Sequence, residues 1–418
     1  MRKVLVTGLG AVSPLGGDLP STFSALLQGR SAVGEAPPRV QRWLPDALAA
    51  TVPPGFETRL GRTDRGLDRA SQFALLAARE AIQDAQLELD DAGRERAGVY
   101  AGIGMGGACS LDAMYARFYN RVYHGEGETG DPVVVHPMSV PTTMANAPVA
   151  WLSIELKLRG PTQTFSVACA SSAVALGEAC RAIRHGYADT IVVVGTEAML
   201  ALGPFLGWHA LRVMAPRSSH GIAASCRPFS RDRAGFVLGE GAAAVVLESE
   251  ERVRASGRRA YAELAGYGCS SDATHITQPC SSGQARALRA ALDDAACNAD
   301  DVGYVNAHGT ATEAGDLSET QAIKAVFQSH ASQLAVSSTK SMHGHLIGAA
   351  GAMEFAITVK ALREGVLPPT AHLHEPDPLC DLDCVPLVAR ERTGLRAAVS
   401  NSFAFGGTNV SLVARALH

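Results

Sequence analysis

A cysteine, two histidines and a lysine stand out among the 418 residues as a set able to do covalent chemistry. Cys169 lies in Val167-Ala168-Cys169-Ala170-Ser171-Ser172, where a strand-like run gives way to small residues that open a helix. The free N–H groups and macrodipole of a helix N-terminus favour negative charge, so a thiol there gains thiolate character and nucleophilicity. His308 follows Tyr304-Val305 in Asn306-Ala307-His308-Gly309-Thr310, which predicts an exposed imidazole at a strand end. His345 lies in His343-Gly344-His345, with Lys340 five residues before it. One Cys and two His on separate strand ends fit nucleophilic acyl transfer. Residues 401–409 contain Phe405-Gly406-Gly407, whose backbone N–H groups could face a developing oxyanion. A plainer reading stands beside each: a buried structural thiol, a loop histidine bonded to a carbonyl, a phenylalanine anchoring a turn. His343-Gly344-His345 also offers a His-x-His metal pair, although no carboxylate stands at a matching spacing.

Short apolar runs alternating with Ala-rich helical stretches must position these groups, which is an α/β pattern. Strands are predicted at 99–103, 190–195, 242–247, 304–307 and 334–338, with an amphipathic helix over 71–87. Residues 17–53, 125–141 and 209–228 read as loops, rich in Pro, Gly, Ser or charge. Two units resemble each other. In one, a strand leads to Cys169 and a helix that stops at Gly186; in the other, residues 334–338 lead through Lys340 and His345 to a helix that stops at Gly365. Thr7-Gly8-Leu9-Gly10 resembles the start of a dinucleotide fingerprint, but position 13 is Ser and no acidic residue ends a second strand about 20 residues later. It reads instead as a tight strand–loop turn.

The composition narrows the function classes. With 37 Lys+Arg against 41 Asp+Glu the formal charge is −4, which argues against a nucleic-acid footprint. Aromatics are 6% and glycines number 42, so the core is built from small side chains. No apolar run approaches the roughly 18–20 residues a bilayer requires, and the N-terminus is too short in its apolar part for a signal peptide. A cytoplasmic protein is expected. The nine cysteines are odd in number and contain no CxxC, so all but Cys169 read as reduced, buried, small hydrophobes.

Taken together, the motifs resemble the elongating, type II β-ketoacyl-acyl carrier protein synthases of the thiolase superfamily. The resemblance runs nearly end to end, from Val4-Leu5-Val6-Thr7-Gly8 to Asn409-Val410-Ser411-Leu412-Val413. It includes Arg227-Pro228-Phe229-Ser230-Arg231-Asp232 and Ser337-Ser338-Thr339-Lys340-Ser341. It implies an α/β, thiolase-like, five-layered αβαβα fold of two duplicated halves: residues 1–255 with Cys169, and 256–418 with His308 and His345. It implies that Cys169 accepts an acyl group and that His308 and His345 assist decarboxylation of malonyl-carrier protein and hold the enolate. Lys340 would organise the site with Glu354 as partner. Phe405 would gate the acyl pocket, and its N–H would join that of Cys169 as the oxyanion hole. The implied partners are acyl carrier protein in its acyl and malonyl forms, and a second subunit: a homodimer or a ketosynthase–chain-length-factor heterodimer. Neither nucleic acid nor membrane is implied. No cofactor or metal is expected, since phosphopantetheine enters on the carrier.

Arg62, Arg65, Arg69 and Arg212 are the positions similar to the family's carrier-docking residues, and Leu111, Met114 and residues 104–107 could line the acyl pocket. Ala404 stands where these enzymes commonly have Gly, Ala170-Ser171-Ser172 replaces the usual residues after the nucleophile, and His343 stands where Thr is common. These departures point towards polyketide or polyene synthesis. The rival reading, a non-catalytic chain-length factor, conflicts with Cys169, because such partners usually lack the nucleophile.

Overall fold

In a computed structural model, which describes residues 2–123 and 135–417, the N-terminal apolar run is one continuous buried strand, β1 (Val4–Val12). Gly8 and Gly10 lie inside this strand instead of forming the expected turn. A Cβ at either would sit 2.0 Å from the Ala81 carbonyl oxygen or 2.2 Å from that of Ala77, both on helix α1 (Arg69–Asp84). The two glycines therefore serve close helix–strand contact, and the dinucleotide reading has no turn to stand on. Helix α1 is the predicted amphipathic one, capped by Asp68, with Phe73, Leu76 and Ala77 on its buried face.

The remaining main strands are β2 (Ala97–Gly102), β3 (Thr162–Phe165), β4 (Thr190–Glu197), β5 (Gly241–Ser249), β6 (Ala262–Ser271), β7 (Val302–Asn306), β8 (Ala335–Ser337), β9 (Ala397–Phe403) and β10 (Thr408–Arg415). The first half of the chain orders its strands β3-β2-β4-β5-β1, and the second orders them β8-β7-β9-β10-β6. Each half has parallel pairs on one side, β2 with β3 and β4, and β7 with β8 and β9. Each then finishes in antiparallel pairs, β4-β5-β1 and β9-β10-β6. The duplication suggested by two short units thus extends strand by strand. The two sheets meet at Leu5↔Glu263 and Val6↔Ala262.

Helix α1 and α3 (Ala147–Leu156) cover the outer face of the first sheet, and α6 (Ser281–Asp294) with α7 (Glu313–Phe327) covers that of the second. Between the sheets lie α4 (Ser171–Arg184) and α8 (Ala350–Glu364), which pack on each other and on both sheets. The result is the five-layered αβαβα arrangement. Buried Val, Ile and Ala on both faces of β4 and β5 explain why those strands do not alternate in polarity.

Several loop expectations change. Residues 17–53 hold a helix, Leu19–Leu27, and two short strands, Val33–Glu35 and Leu48–Ala50. Asp18 and Ser21 form a capping box at the helix start, a signal readable from sequence. Residues 209–228 include the end of α5 (Leu202–Ala210) and the turn Ile222–Ser225. Of residues 125–141, 125–134 lie outside the described residues and Ser139–Thr143 is a short helix. All nine cysteines are free, but only Cys169, Cys180, Cys226, Cys380 and Cys384 are buried; Cys269 is exposed and Cys109, Cys280 and Cys297 are partly so. Among the described residues no helix is long and apolar enough to cross a membrane.

Candidate active site

The chain leaves β3 at Phe165 and turns through Ala168, which adopts a left-handed φ of 44°. Ser171 holds this elbow: its Oγ accepts the Val167 N–H at 2.8 Å and donates to the Ala168 carbonyl at 2.7 Å. Cys169 is thereby set immediately before α4, as expected. The second unit repeats the plan: β8 leads to a short helix, Lys340–His343, then His345, a turn at Ile347–Ala349, and α8.

The tertiary fold brings the two ends together. His345 Nε2 lies 3.1 Å from Cys169 Sγ. The Ile347 N–H donates to His345 Nδ1 at 3.2 Å, which leaves the ring proton on Nε2, pointing at the sulfur. The His308 ring lies edge-to-face to that of His345, centroids 5.4 Å apart. Its backbone is held from behind by Glu319 of α7, which accepts the N–H groups of His308 at 2.9 Å and Gly309 at 2.8 Å. Lys340 Nζ lies 3.4 Å from His308 Nδ1 and donates to it, so His308 also presents Nε2–H. The same ammonium pairs with Glu354, and both side chains are completely buried.

Burial sets the electrostatics. It pushes the Cys169 thiol up to about 12, against the opposing pull of the Lys340 charge and of the Phe405 and Cys169 N–H groups that face the sulfur. The helix terminus expected to favour thiolate is thus outweighed by desolvation. His308 and His345 are both held well below the usual imidazole range, first by burial and then by Lys340. At neutral pH they are uncharged hydrogen-bond donors. His308, expected to be exposed, is 7% exposed, because Phe403 and His345 pack against its ring.

A cavity of about 200 Å³ reaches Cys169, His308 and His345. Trp208 and Phe236 form an apolar wall, while Gln278, Thr310, Thr312 and Asn409 form a polar one. Phe405 also lines the cavity, its ring 6.0 Å from that of Trp208. Cys169, His308, His345, Lys340 and Phe405 therefore converge as the sequence suggested. His343 does not join them; its ring bonds the Gly344 carbonyl at 2.7 Å and Thr339 Oγ1 at 2.9 Å. The His-x-His metal pair is not formed. Cys169, His308 and His345 have donor atoms within 4.8 Å of one another, but the Lys340 ammonium behind His308 disfavours a cation there.

Of the candidate docking arginines, Arg62, Arg65 and Arg212 are exposed. Arg69 is committed elsewhere, donating twice to Glu240 at 2.8 and 2.5 Å. Leu111, Met114 and residues 104–107 do not line the cavity. Leu111 and Met114 lie on α2 (Ala108–Tyr123), where Leu111 is exposed. Sequence reasoning passed over Glu319, Trp208 and Glu197. Glu319 and Asp316 had a signal, acidic residues three apart on the apolar face of a helix, and Glu197 had one as a charge ending the run Val192-Val193-Val194. Trp208 had none.

Comparison with known proteins agrees with this geometry. The family described as Beta-ketoacyl synthase, N-terminal domain matches residues 1–253, and its C-terminal counterpart matches residues 261–374. Nodulation protein E of Rhizobium sp. (strain N33) is 42% identical over 415 residues, 99% of each chain. The 3-oxoacyl-[acyl-carrier-protein] synthase 2 of Staphylococcus aureus (strain N315) is 38% identical over 416 residues, 99% of this chain and 98% of the relative. Among solved structures, the ishigamide ketosynthase/chain length factor superimposes with a TM-score of 0.89 at 31% identity, covering all of both chains.

Proposed function

The chain belongs to the β-ketoacyl synthase family, and on that premise we propose an elongating synthase that lengthens a carrier-bound acyl chain by two carbons through decarboxylative Claisen condensation. The observation that carries this reading is the meeting of Cys169 Sγ with His345 Nε2 at 3.1 Å, with His308 beside it and two backbone N–H groups facing the sulfur.

In the first half-reaction the Cys169 sulfur attacks the acyl thioester of a carrier phosphopantetheine. The oxyanion is held by the N–H groups of Cys169 and Phe405, the carrier thiolate leaves, and the cysteine proton goes to it. Malonyl-carrier protein then binds. Its C–C bond to the carboxylate breaks and CO₂ departs, while His308 and His345 donate their Nε2–H groups to the thioester oxygen as the enolate forms. The enolate carbon attacks the Cys169 thioester, the C–S bond breaks, and the Cys169 thiolate takes up one proton from solvent. Lys340 donates to His308 Nδ1 and keeps His308 in the donating tautomer. The polar wall of Gln278, Thr310, Thr312 and Asn409 suits the phosphopantetheine arm, and the apolar wall suits the acyl chain. No metal or redox cofactor enters these steps.

Acyl carrier protein is the proposed partner, docking near Arg62, Arg65 and Arg212. A second subunit, identical or a chain-length factor, is proposed against the exposed edge strand β3 and the bare aromatic face of α2, where Tyr115, Phe118, Tyr119 and Tyr123 are exposed. We place the protein in the cytoplasm, where its free thiols stay reduced. Intact-protein mass spectrometry after incubation with acyl-carrier protein is the test. The wild type should gain one acyl mass at Cys169, and Cys169→Ala should gain none. Elongation by Cys169→Ala would sink the assignment, whereas Cys169→Gln should still release CO₂ from malonyl-carrier protein.

A further inference from the structure

Two residues after His345 the chain does something costly. Ile347, β-branched and buried, adopts a left-handed φ of 47°, a region that L-residues with branched side chains avoid. This is the residue whose N–H sets the His345 ring. The next N–H, that of Gly348, donates at 3.1 Å to Glu197 Oε2. Glu197 ends β4 in the other half of the molecule and is completely buried. The same oxygen accepts the Gly104 N–H at 2.7 Å, and Oε1 accepts that of Met105 at 3.3 Å. Space around the carboxylate is reserved by glycine on two sides: a Cβ on Gly104 would lie 2.5 Å from Glu197 Oε2, and one on Gly348 would lie 2.6 Å from it. One carboxylate thus ties the segment after β2 to the turn after His345.

We propose that Glu197 is a positioning residue for the condensation, clamping the left-handed Ile347 turn so that His345 presents Nε2–H to the reacting centre at Cys169. The inference rests on the proposed function for its catalytic consequence, but its structural core does not. Three N–H groups converge on the carboxylate, and only an acceptor can hold them. A carboxamide keeps the shape, yet it offers one acceptor oxygen to the three donors and sets an NH₂ against the rest, which loosens the clamp.

The test pairs Glu197→Gln with Glu197→Gln/Ile347→Gly, in which glycine adopts the turn without strain and needs no clamp. In ¹⁵N-histidine NMR, His345 of the wild type should show the single Nε2–H tautomer, Glu197→Gln a mixture, and the double variant a return to Nε2–H. Malonyl-carrier decarboxylation should lose about 10- to 100-fold in kcat in Glu197→Gln, with KM little changed. The double variant should recover most of that loss. An unchanged tautomer and kcat in Glu197→Gln would overturn the proposal, as would a double variant no better than the single one. If Glu197→Gln fails to fold, a folded double variant supports the clamp, and failure of both marks Glu197 as a general folding element and overturns it. A wild type that releases no CO₂ would count against the proposed function alone, since the tautomer readout still judges the clamp.

Discussion

Replacing Lys340 by Met should separate the stability of this site from its chemistry. Lys340 and Glu354 are both completely buried, with Lys340 as the ion-pair partner of Glu354 Oε1 and no hydrogen-bond partner for Oε2 among the described residues. Removing one member of such a pair costs about 3–5 kcal/mol, because the buried partner loses its counter-charge and must take up a proton to become neutral. Burial already lifts Glu354 to about 7, and Lys340 is the main influence holding it down. Without Lys340 the folded protein keeps Glu354 protonated at neutral pH, while the unfolded chain ionises it near the ordinary 4.5. Folding then takes up a proton, so stability falls as pH rises above about 4.5, by about 1.4 kcal/mol per unit.

Urea unfolding of Lys340→Met between pH 5.5 and 8 should show this slope relative to Lys340→Met/Glu354→Leu, in which neither charge remains. The double variant should regain most of the lost stability. It should not regain activity, because the bond from Lys340 Nζ to His308 Nδ1 is still missing. A bond of that charged kind is worth about 1.5–3 kcal/mol, or about 10- to 150-fold in decarboxylation rate. The reasoning fails if Lys340→Met lies within about 1 kcal/mol of wild type with no added pH slope, or if the double variant decarboxylates at the wild-type rate.

His308 and His345 should stay uncharged from pH 6 to 8 in ¹⁵N-histidine NMR, because both imidazoles titrate well below 6.5; an imidazolium signal growing in near 6.5 would contradict neutral donors. The same depressed values mean that the two imidazoles contribute stability that is lost as pH drops below about 6.5, where the unfolded chain takes up protons that the folded one refuses; urea unfolding of wild type against His308→Ala/His345→Ala across pH 5 to 7 reads this contribution apart from that of the buried carboxylates. Gly10→Ala should cost about 1–3 kcal/mol in urea unfolding, since its Cβ has only 2.2 Å to the Ala77 carbonyl oxygen; a neutral result would mean that α1 shifts freely. Arg62→Glu with Arg65→Glu should raise KM for carrier protein and flatten its salt dependence, and steady-state kinetics at two ionic strengths that leave KM unmoved would remove these residues from docking.

The sequence by itself determined which groups exist and on which kinds of element they sit. Small residues after Cys169, Gly309 after His308 and the Gly186 and Gly365 stops are local codes, because caps and turns depend on neighbours in the chain. The repeat of strand, reactive residue and helix was legible for the same reason. Distance and dryness were not. Cys169 and His345 are 176 residues apart, and their contact exists only because α4 and α8 share the layer between two sheets. That layer excludes water, and it reverses two expectations: the thiol stays protonated despite its helix terminus, and His308 is buried and uncharged. Packing also decided that Gly8 and Gly10 belong to a strand, that Arg69 serves Glu240, and that Glu197 reaches the turn behind His345. Burial is a sum over the whole fold, so no local pattern of residues could have stated it.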